Sequence, residues 1–323
     1  MPKPKKISFL SKVVEIILVL LISLLIVEVC VRAFLRYHLV YDVEMAKYAM
    51  NIVEEGGYRF YKPNISIKVM GVWIHTNADG FRGKDYPVAR THQKRIIFLG
   101  SSFLLGWGVK EEDTFHNILE SNLSKIYPTQ IINTGMINYN TDQETHLFIA
   151  KGLKYHPDKV VVFWVGSDVM PTPHKSKWRF LGHSQFITLC WSFSHILAEH
   201  LDAAKSYKFY YSGQYKEGAP GLVRAKEAIL ELKDVCRKNH ILLQVVMMPD
   251  LHNLANYPFK KGYRMIQGFF RDNGIDVLDV TPFFSKWHDP TALWVSLDDA
   301  HPNKIAHQLI AEHTLDFIKK DLY

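Results

Sequence analysis

Two adjacent hydroxyls, Ser101 and Ser102, follow the apolar run Ile96-Ile97-Phe98-Leu99 and a glycine, Gly100, within residues 94–108 of a 323-residue chain. A short continuous apolar run suits a strand buried on both faces of a parallel sheet. A serine at the carboxyl end of such a strand stands where open α/β sheets place their chemistry. That chemistry is nucleophilic attack on an acyl carbon, provided a base removes the hydroxyl proton. Gly100, Gly106 and Gly108 do not fit the dinucleotide fingerprint, and no Gly-Lys-Ser/Thr follows to make a phosphate loop. Taken alone, strand–glycine–serine fits a structural turn as well as it fits a nucleophile.

The base is offered at the other end of the chain, where residues 298–303 read Asp-Asp-Ala-His-Pro-Asn. A histidine acting as a general base needs its second ring nitrogen held by an acceptor. Asp298, three residues upstream of His301 on a turn before a helix, can fold back to that nitrogen. Pro302 suits a first helical turn. The same residues also read as a helix start capped by Asp298 or Asp299, with His301 solvated.

Taken together and in order, these pieces resemble the SGNH/GDSL hydrolase superfamily. Its Gly-Asp-Ser-x-x-x-Gly block is matched by Gly100-Ser101-Ser102-Phe-Leu-Leu-Gly106, its second-strand glycine by Gly135, and its Gly-x-Asn-Asp block falls on Val165-Gly166-Ser167-Asp168. Its Asp-x-x-His block is matched by Asp298 and His301. Upstream, Asn77-Ala-Asp-Gly-Phe-Arg-Gly83 looks like the lead-in of bacterial membrane-anchored members. The resemblance implies Ser102 as nucleophile, His301 as base and Asp298 as the orienting acid. It implies an oxyanion hole from the amides of Ser102 and Gly135 with the Ser167 hydroxyl. Gly100, Ser101, Gly106 and Asp168 then support the site, and no cofactor is needed. Ser101 replaces the family's aspartate, Ser167 its asparagine, and Val165 stands where glycine is usual. A hydroxyl is shorter than a carboxamide and rotates freely, so the oxyanion hole is expected to be weakened.

Composition narrows the remaining choices. A net charge of +7 is spread along the chain without a basic stripe of interleaved aromatics, which argues against nucleic acid and fits a neighbour of an anionic bilayer. Three cysteines, Cys30, Cys190 and Cys236, make no disulfide scaffold, and whether Cys190 and Cys236 meet is open. Sixteen histidines show no zinc spacing, and no metal is expected.

The elements that must position these residues follow an alternating rhythm: strands at 94–99, 129–133, 159–165, 241–248 and 275–280, helices at 113–126, 141–154, 222–238, about 260–273 and about 303–319. That rhythm predicts an α/β fold, a three-layer parallel sheet with helices on both faces, flavodoxin-like in the SGNH manner. Ahead of it come a basic head over 1–12, an apolar segment over 13–35, and an extension over 36–93 packed on the domain. The SGNH-like domain occupies 94–323, with an insertion at about 169–218. The 13–35 segment is long enough to span a bilayer, and Glu28 and Arg32 can neutralise one another at i, i+4. Lysines before the span outnumber the arginines after it, and no cleavage site follows. A single-pass signal anchor with the domain on the extracytoplasmic, periplasmic side is therefore predicted. The insertion holds a strongly apolar, helix-length piece over 186–197, which reads as a lid, a surface leaning on the bilayer, or an inserted helix with its own small core.

The function expected from these readings is a membrane-anchored serine esterase or O-acyltransferase acting on ester-linked acyl groups, those of a cell-envelope glycan by family analogy. A lipase or lysophospholipase and a catalytically inactive domain that binds a glycan or a protein are the alternatives.

Overall fold

The computed structural model describes residues 9–55, 58–89, 92–171, 179–201 and 213–322. Most of the predicted basic head, and Pro173, Lys175 and Lys177 of the insertion, lie outside them.

The central sheet is made of β5 (Lys94–Gly100), β6 (Thr129–Asn133), β7 (Lys159–Trp164), β8 (Leu242–Met247) and β9 (Asp276–Asp279). All four pairings are parallel, in the order β6-β5-β7-β8-β9. Alternate residues of each strand feed two separate cores, as the two-residue period of a strand requires. Ile97, Leu99, Val160, Val162, Val245 and Met247 pack on one face with Ile229 and Leu232 of α7 (Pro220–Lys238) and with Ile266 and Phe270 of α8 (Lys260–Asp272). Ile96, Phe98, Val161, Phe163 and Val246 pack on the other with Phe115 and Leu119 of α4 (Phe115–Ser124) and with Ala306 and Ile310 of α9 (Lys304–Lys319). The result is a three-layer α/β sandwich with helices on both faces.

Ahead of the sheet come the 27-residue helix α1 (Phe9–Leu35), α2 (Tyr41–Ala49), and two antiparallel hairpins, β1 (Ile52–Glu55) with β2 (Tyr58–Tyr61) and β3 (Ser66–Val69) with β4 (Val72–His75). At about 1.5 Å per residue α1 is roughly 40 Å long, and it is apolar enough to cross a membrane. Arg32 Nε donates to Glu28 Oε1 at 2.6 Å, one turn apart. The insertion contributes α6 (Gln185–Leu201). The cysteines are all unbonded, with Cys236 buried and Cys190 exposed on α6.

The segment around His301 departs from expectation. Residues 299–302 are not a helix turn: they form β11 (Asp299–Pro302), paired antiparallel with β10 (Trp294–Ser296). The helix begins only at Lys304, capped by Asn303, whose Oδ1 accepts from the Ile305 and Ala306 amides. Pro302 therefore sits opposite Trp294 in a hairpin rather than in a first helical turn. The helix expected over 141–154 is likewise α-helical only as α5 (Thr141–Leu147) and then passes through a π segment and a 3₁₀ turn to Tyr155.

Candidate active site

The carboxyl ends of β5, β6 and β7 form one edge of the sheet, and the segments leaving them carry Ser102, Gly135 and Ser167. β5 ends at Gly100, Ser101 follows, and Ser102 opens the one-turn helix α3 (Ser102–Leu105). As the first helical residue, Ser102 has an amide with no intrahelical acceptor, which therefore points out of the turn. α3 ends on Gly106 at φ 77°, a left-handed conformation open to glycine at little cost. Arg82, fully buried, holds the carbonyls that this stop leaves behind. Its Nη1 donates to Leu105 O at 2.8 Å and Gly106 O at 2.7 Å, and its Nη2 to Val109 O at 2.7 Å. Burial brings its pKa down to about 10, so it stays a cation at neutral pH. Asn77 shapes the turn that delivers Arg82, accepting from the Asp79 and Phe81 amides.

His301 closes the site from the hairpin. Its Nε2 lies 2.8 Å from Ser102 Oγ, and its Nδ1 lies 2.5 Å from Asp299 Oδ1. The carboxylate beside His301 is thus Asp299, not the Asp298 expected from the motif spacing. In a strand, residues two apart share a face while residues three apart do not, so a hairpin sets Asp299 beside His301 and turns Asp298 away. Asp298 is exposed instead, taking the Ser296 hydroxyl at 2.5 Å and the Tyr41 amide at 3.4 Å. Asp299 is buried and accepts a further bond from Trp107 Nε1 at 2.8 Å. Burial alone raises the pKa of its carboxyl. The bonds from the His301 ring and amide and from Trp107 outweigh that, and the net position is below the usual carboxylate range. An ionised Asp299 can only accept, so His301 Nδ1 carries the proton and Nε2 turns its lone pair to the serine. Three aromatic rings border the imidazole: Tyr41 stacked at 5.8 Å, Phe103 edge-on at 5.6 Å and Trp107 tilted at 6.2 Å.

The rival serine is elsewhere. Ser101 is buried, and its Oγ has no hydrogen-bond partner, while Ser102 Oγ faces the imidazole. Gly135 is also not the oxyanion donor that its motif position implied. Its amide already donates to Asn133 Oδ1 at 2.8 Å. Its lack of a side chain serves packing, because a Cβ there would lie 2.3 Å from the Leu105 amide nitrogen. Ser167 is half-buried on the 3₁₀ turn Gly166–Val169 after β7, the neighbour of β5. Asp168 points inward, where its Oδ2 accepts from the Val165 amide at 2.5 Å and closes that turn. It lies against Glu144, which is also buried. Burial first, and for Glu144 then the neighbouring charge, push both carboxyls above their usual range, so the pair keeps a proton at neutral pH.

Sequence reasoning named neither Trp107 nor Tyr41 nor Phe103, and it left Arg82 without a role. The Asn77–Gly83 motif carried a signal for Arg82. Trp107, set between Gly106 and Gly108, carried one only in retrospect. Two other buried histidines stand apart from this chemistry: His116 pairs with Asn133, and His307 Nδ1 accepts from the Phe115 amide with its pKa brought down to about 3 by burial. Among the described residues, no group of three or more side chains suited to a metal ion occurs.

No protein-family model and no curated protein matches the chain. Among solved structures it is similar to the psychrotrophic esterase EstA from Pseudoalteromonas sp., with 15% identity over 71% of this chain and 98% of that one and a TM-score of 0.45. It is also similar to a lipase/acylhydrolase from Enterococcus faecalis, at 12% identity over 70% and 96% of the two chains, TM-score 0.44. A two-domain esterase active on acetylated mannans is similar at 16% identity over 71% of this chain and 50% of that one, TM-score 0.44.

Proposed function

We propose that this chain is a serine esterase or O-acyltransferase of the SGNH type, held to the membrane by α1 with its α/β domain on the extracytoplasmic side. The observation that carries this reading is the line Asp299–His301–Ser102, with contacts of 2.5 Å and 2.8 Å at the carboxyl edge of a parallel sheet. Ser102 Oγ attacks the ester carbonyl as its proton passes to His301 Nε2. Asp299 stabilises the imidazolium, and the proton then goes to the leaving alcohol. The Ser102 amide, directed out of the α3 turn, and the Ser167 hydroxyl are the donors for the oxyanion. Water or a second alcohol, deprotonated by the same histidine, releases the acyl group. Ester-linked acyl groups of a cell-envelope glycan are the substrate class the motif resemblance suggests.

Labelling of the purified full chain with a fluorophosphonate tests the chemistry. Modification at Ser102 that is lost in Ser102→Ala is expected. A protein that stays unlabelled while folded, and that turns over no short-chain ester, overturns it in favour of a domain that only binds, the reading that Ser101, Val165 and Ser167 would favour. The anchor is tested separately by C-terminal reporter fusions, which should be active outside the cytoplasm. Activity confined to the cytoplasm overturns the orientation.

A further inference from the structure

α6 is built inside out. Thr188 and Ser192, one turn apart, are buried, with Ser192 Oγ donating to Asp42 Oδ2 and Thr188 Oγ1 to Ser184 O. The outer face carries Ile187, Trp191, Phe193, Ile196 and Leu197, with Trp191 55% and Phe193 66% exposed. A helix facing water turns its apolar stripe inward, and a contiguous exposed apolar face marks a surface that meets something apolar. What it meets is set by its attachment. The Glu28 carboxylate of α1 accepts from Ser184 Oγ and from the amides of Gln185 and Phe186, capping α6, and Arg32 Nη2 donates to His183 O at 2.7 Å. These bonds hold the start of α6 against α1, and both helices expose large apolar side chains.

Between α6 and α2 lies a cavity of about 460 Å³, walled by Met45, Ala46, Met50, Leu181, Ile187 and Trp191, a size within the ~300–1,000 Å³ of small-molecule sites. Ile187 and Trp191 belong both to this wall and to the exposed face, so the cavity reaches the lipid side of α6. Tyr41 also lines the cavity and is the ring stacked on His301. An acetyl group, with its single methyl, leaves such a space unused.

We infer that this cavity is an acyl-chain site and that the ester cleaved at Ser102 belongs to a lipid of the bilayer around α1. The inference rests on the serine-hydrolase reading and replaces the glycan ester suggested by the motif resemblance with a lipid ester. The chain enters past Trp191 and lies between α2 and α6, with its carbonyl at Ser102. Attack by Ser102 Oγ forms the acyl-serine bond and breaks the bond to the lipid alcohol, which leaves with the proton from His301. The chain stays in the cavity until water or an acceptor alcohol takes the acyl group.

The test uses the full chain in vesicles of phosphatidylethanolamine and phosphatidylglycerol. With p-nitrophenyl esters from acetate to decanoate, kcat/KM should rise by about 4-fold per buried methylene. Gly182→Leu places its side chain toward Ala46, whose Cβ lies 3.7 Å from a Cβ built at Gly182, and should cut the decanoate-to-acetate ratio by about 10-fold or more. A flat or falling series from protein that a fluorophosphonate still labels at Ser102 overturns the lipid site and leaves the hydrolase standing. Absence of labelling and turnover overturns the hydrolase reading instead. A readout free of catalysis decides the cavity in either case: Ser102→Ala protein is irradiated with phosphatidylethanolamine carrying a diazirine in its acyl chain. Crosslinks in residues 41–50 and 181–191 are expected, and crosslinks confined to 9–35 overturn the proposal.

Discussion

Trp107 Nε1 donates to Asp299 Oδ2 at 2.8 Å, joining residues 192 positions apart in the chain. The turn that follows Ser102 thus holds the carboxylate beside His301, and the same indole borders the His301 ring. Trp107→Phe keeps most of the packing and deletes this donor. A bond to a charged group is worth about 1.5–3 kcal/mol, so kcat should fall by roughly 10-fold or more. The Asp299 pKa, now held below the usual carboxylate range, should rise with the loss of that donor. Steady-state kinetics on a short-chain ester and titration of the Asp299 carboxyl in the variant check the two effects, and unchanged values count against the role.

The neighbouring carboxylates should behave very differently. Asp299→Asn replaces an acceptor-only carboxylate with a carboxamide that can also donate, which allows the wrong imidazole tautomer, and in the serine-protease precedent that costs about 10⁴ in kcat. Asp298→Asn alters an exposed side chain and should change stability by no more than about 0.5 kcal/mol. Steady-state kinetics on one short-chain ester separates the two, and the reverse ranking would return the orienting role to Asp298.

Arg82 is a structural counterpart to the triad. Its guanidinium serves three carbonyls at the end of α3 in a buried site. Arg82→Met leaves those acceptors without a donor, at about 1–3 kcal/mol for each unsatisfied group. A loss of roughly 3 kcal/mol or more should appear in chemical denaturation, and Ser102 should lose fluorophosphonate reactivity as α3 loosens. Stability within about 1 kcal/mol of the parent chain would refute this account of the Asn77–Gly83 segment.

How much of this was legible beforehand follows from the range of each signal. Ile96 to Leu99 and Val160 to Phe163 are continuous apolar runs, and such runs announce a buried parallel strand without any tertiary information. Ser102 and His301 were legible because they lie in short motifs at the ends of such elements. Asp299 was not, because choosing between it and Asp298 depends on whether 299–302 form a strand or a turn. That choice is made by pairing with Trp294–Ser296, which no local pattern reports. Gly135 misled for a related reason: its amide donates to Asn133, a residue whose side chain turns forward two positions. Trp107 and Tyr41 reach His301 from distant segments, a juxtaposition that only the folded chain displays.

The Glu144–Asp168 pair should make stability fall with pH. Both pKa values are raised in the folded protein, so the folded state holds more protons than the unfolded one between the ordinary carboxylate range and the raised values. Stability contributed by the pair is then fully present below about pH 4 and lost as pH rises through the raised values. Melting temperatures measured from about pH 5 to about pH 9 should decline in the parent chain and decline less in Asp168→Asn, whose carboxamide cannot ionise. A parallel decline in both would mean that the pair does not share a retained proton.

Ser167 offers the sharpest separation between a weakened enzyme and a binding domain. It occupies the turn after β7 where the resembled family carries an asparagine, and Asp168 fixes that turn through the Val165 amide. A serine hydroxyl rotates about its Cα–Cβ axis and must be ordered as the oxyanion forms, whereas a carboxamide held by its neighbours is aimed in advance. Removing one such donor costs about 2.7–4 kcal/mol where it has been measured, or 10²–10³ in kcat, so restoring a better one should recover part of that. Ser167→Asn should raise kcat on a short-chain ester by roughly 10-fold with little change in KM, because the bond is made chiefly to the transition state. The gain should vanish in the Ser167→Asn, His301→Ala double variant, since an oxyanion donor cannot replace the base. A folded Ser167→Asn protein with no turnover above the Ser102→Ala background would remove the case for an enzyme weakened only at this position.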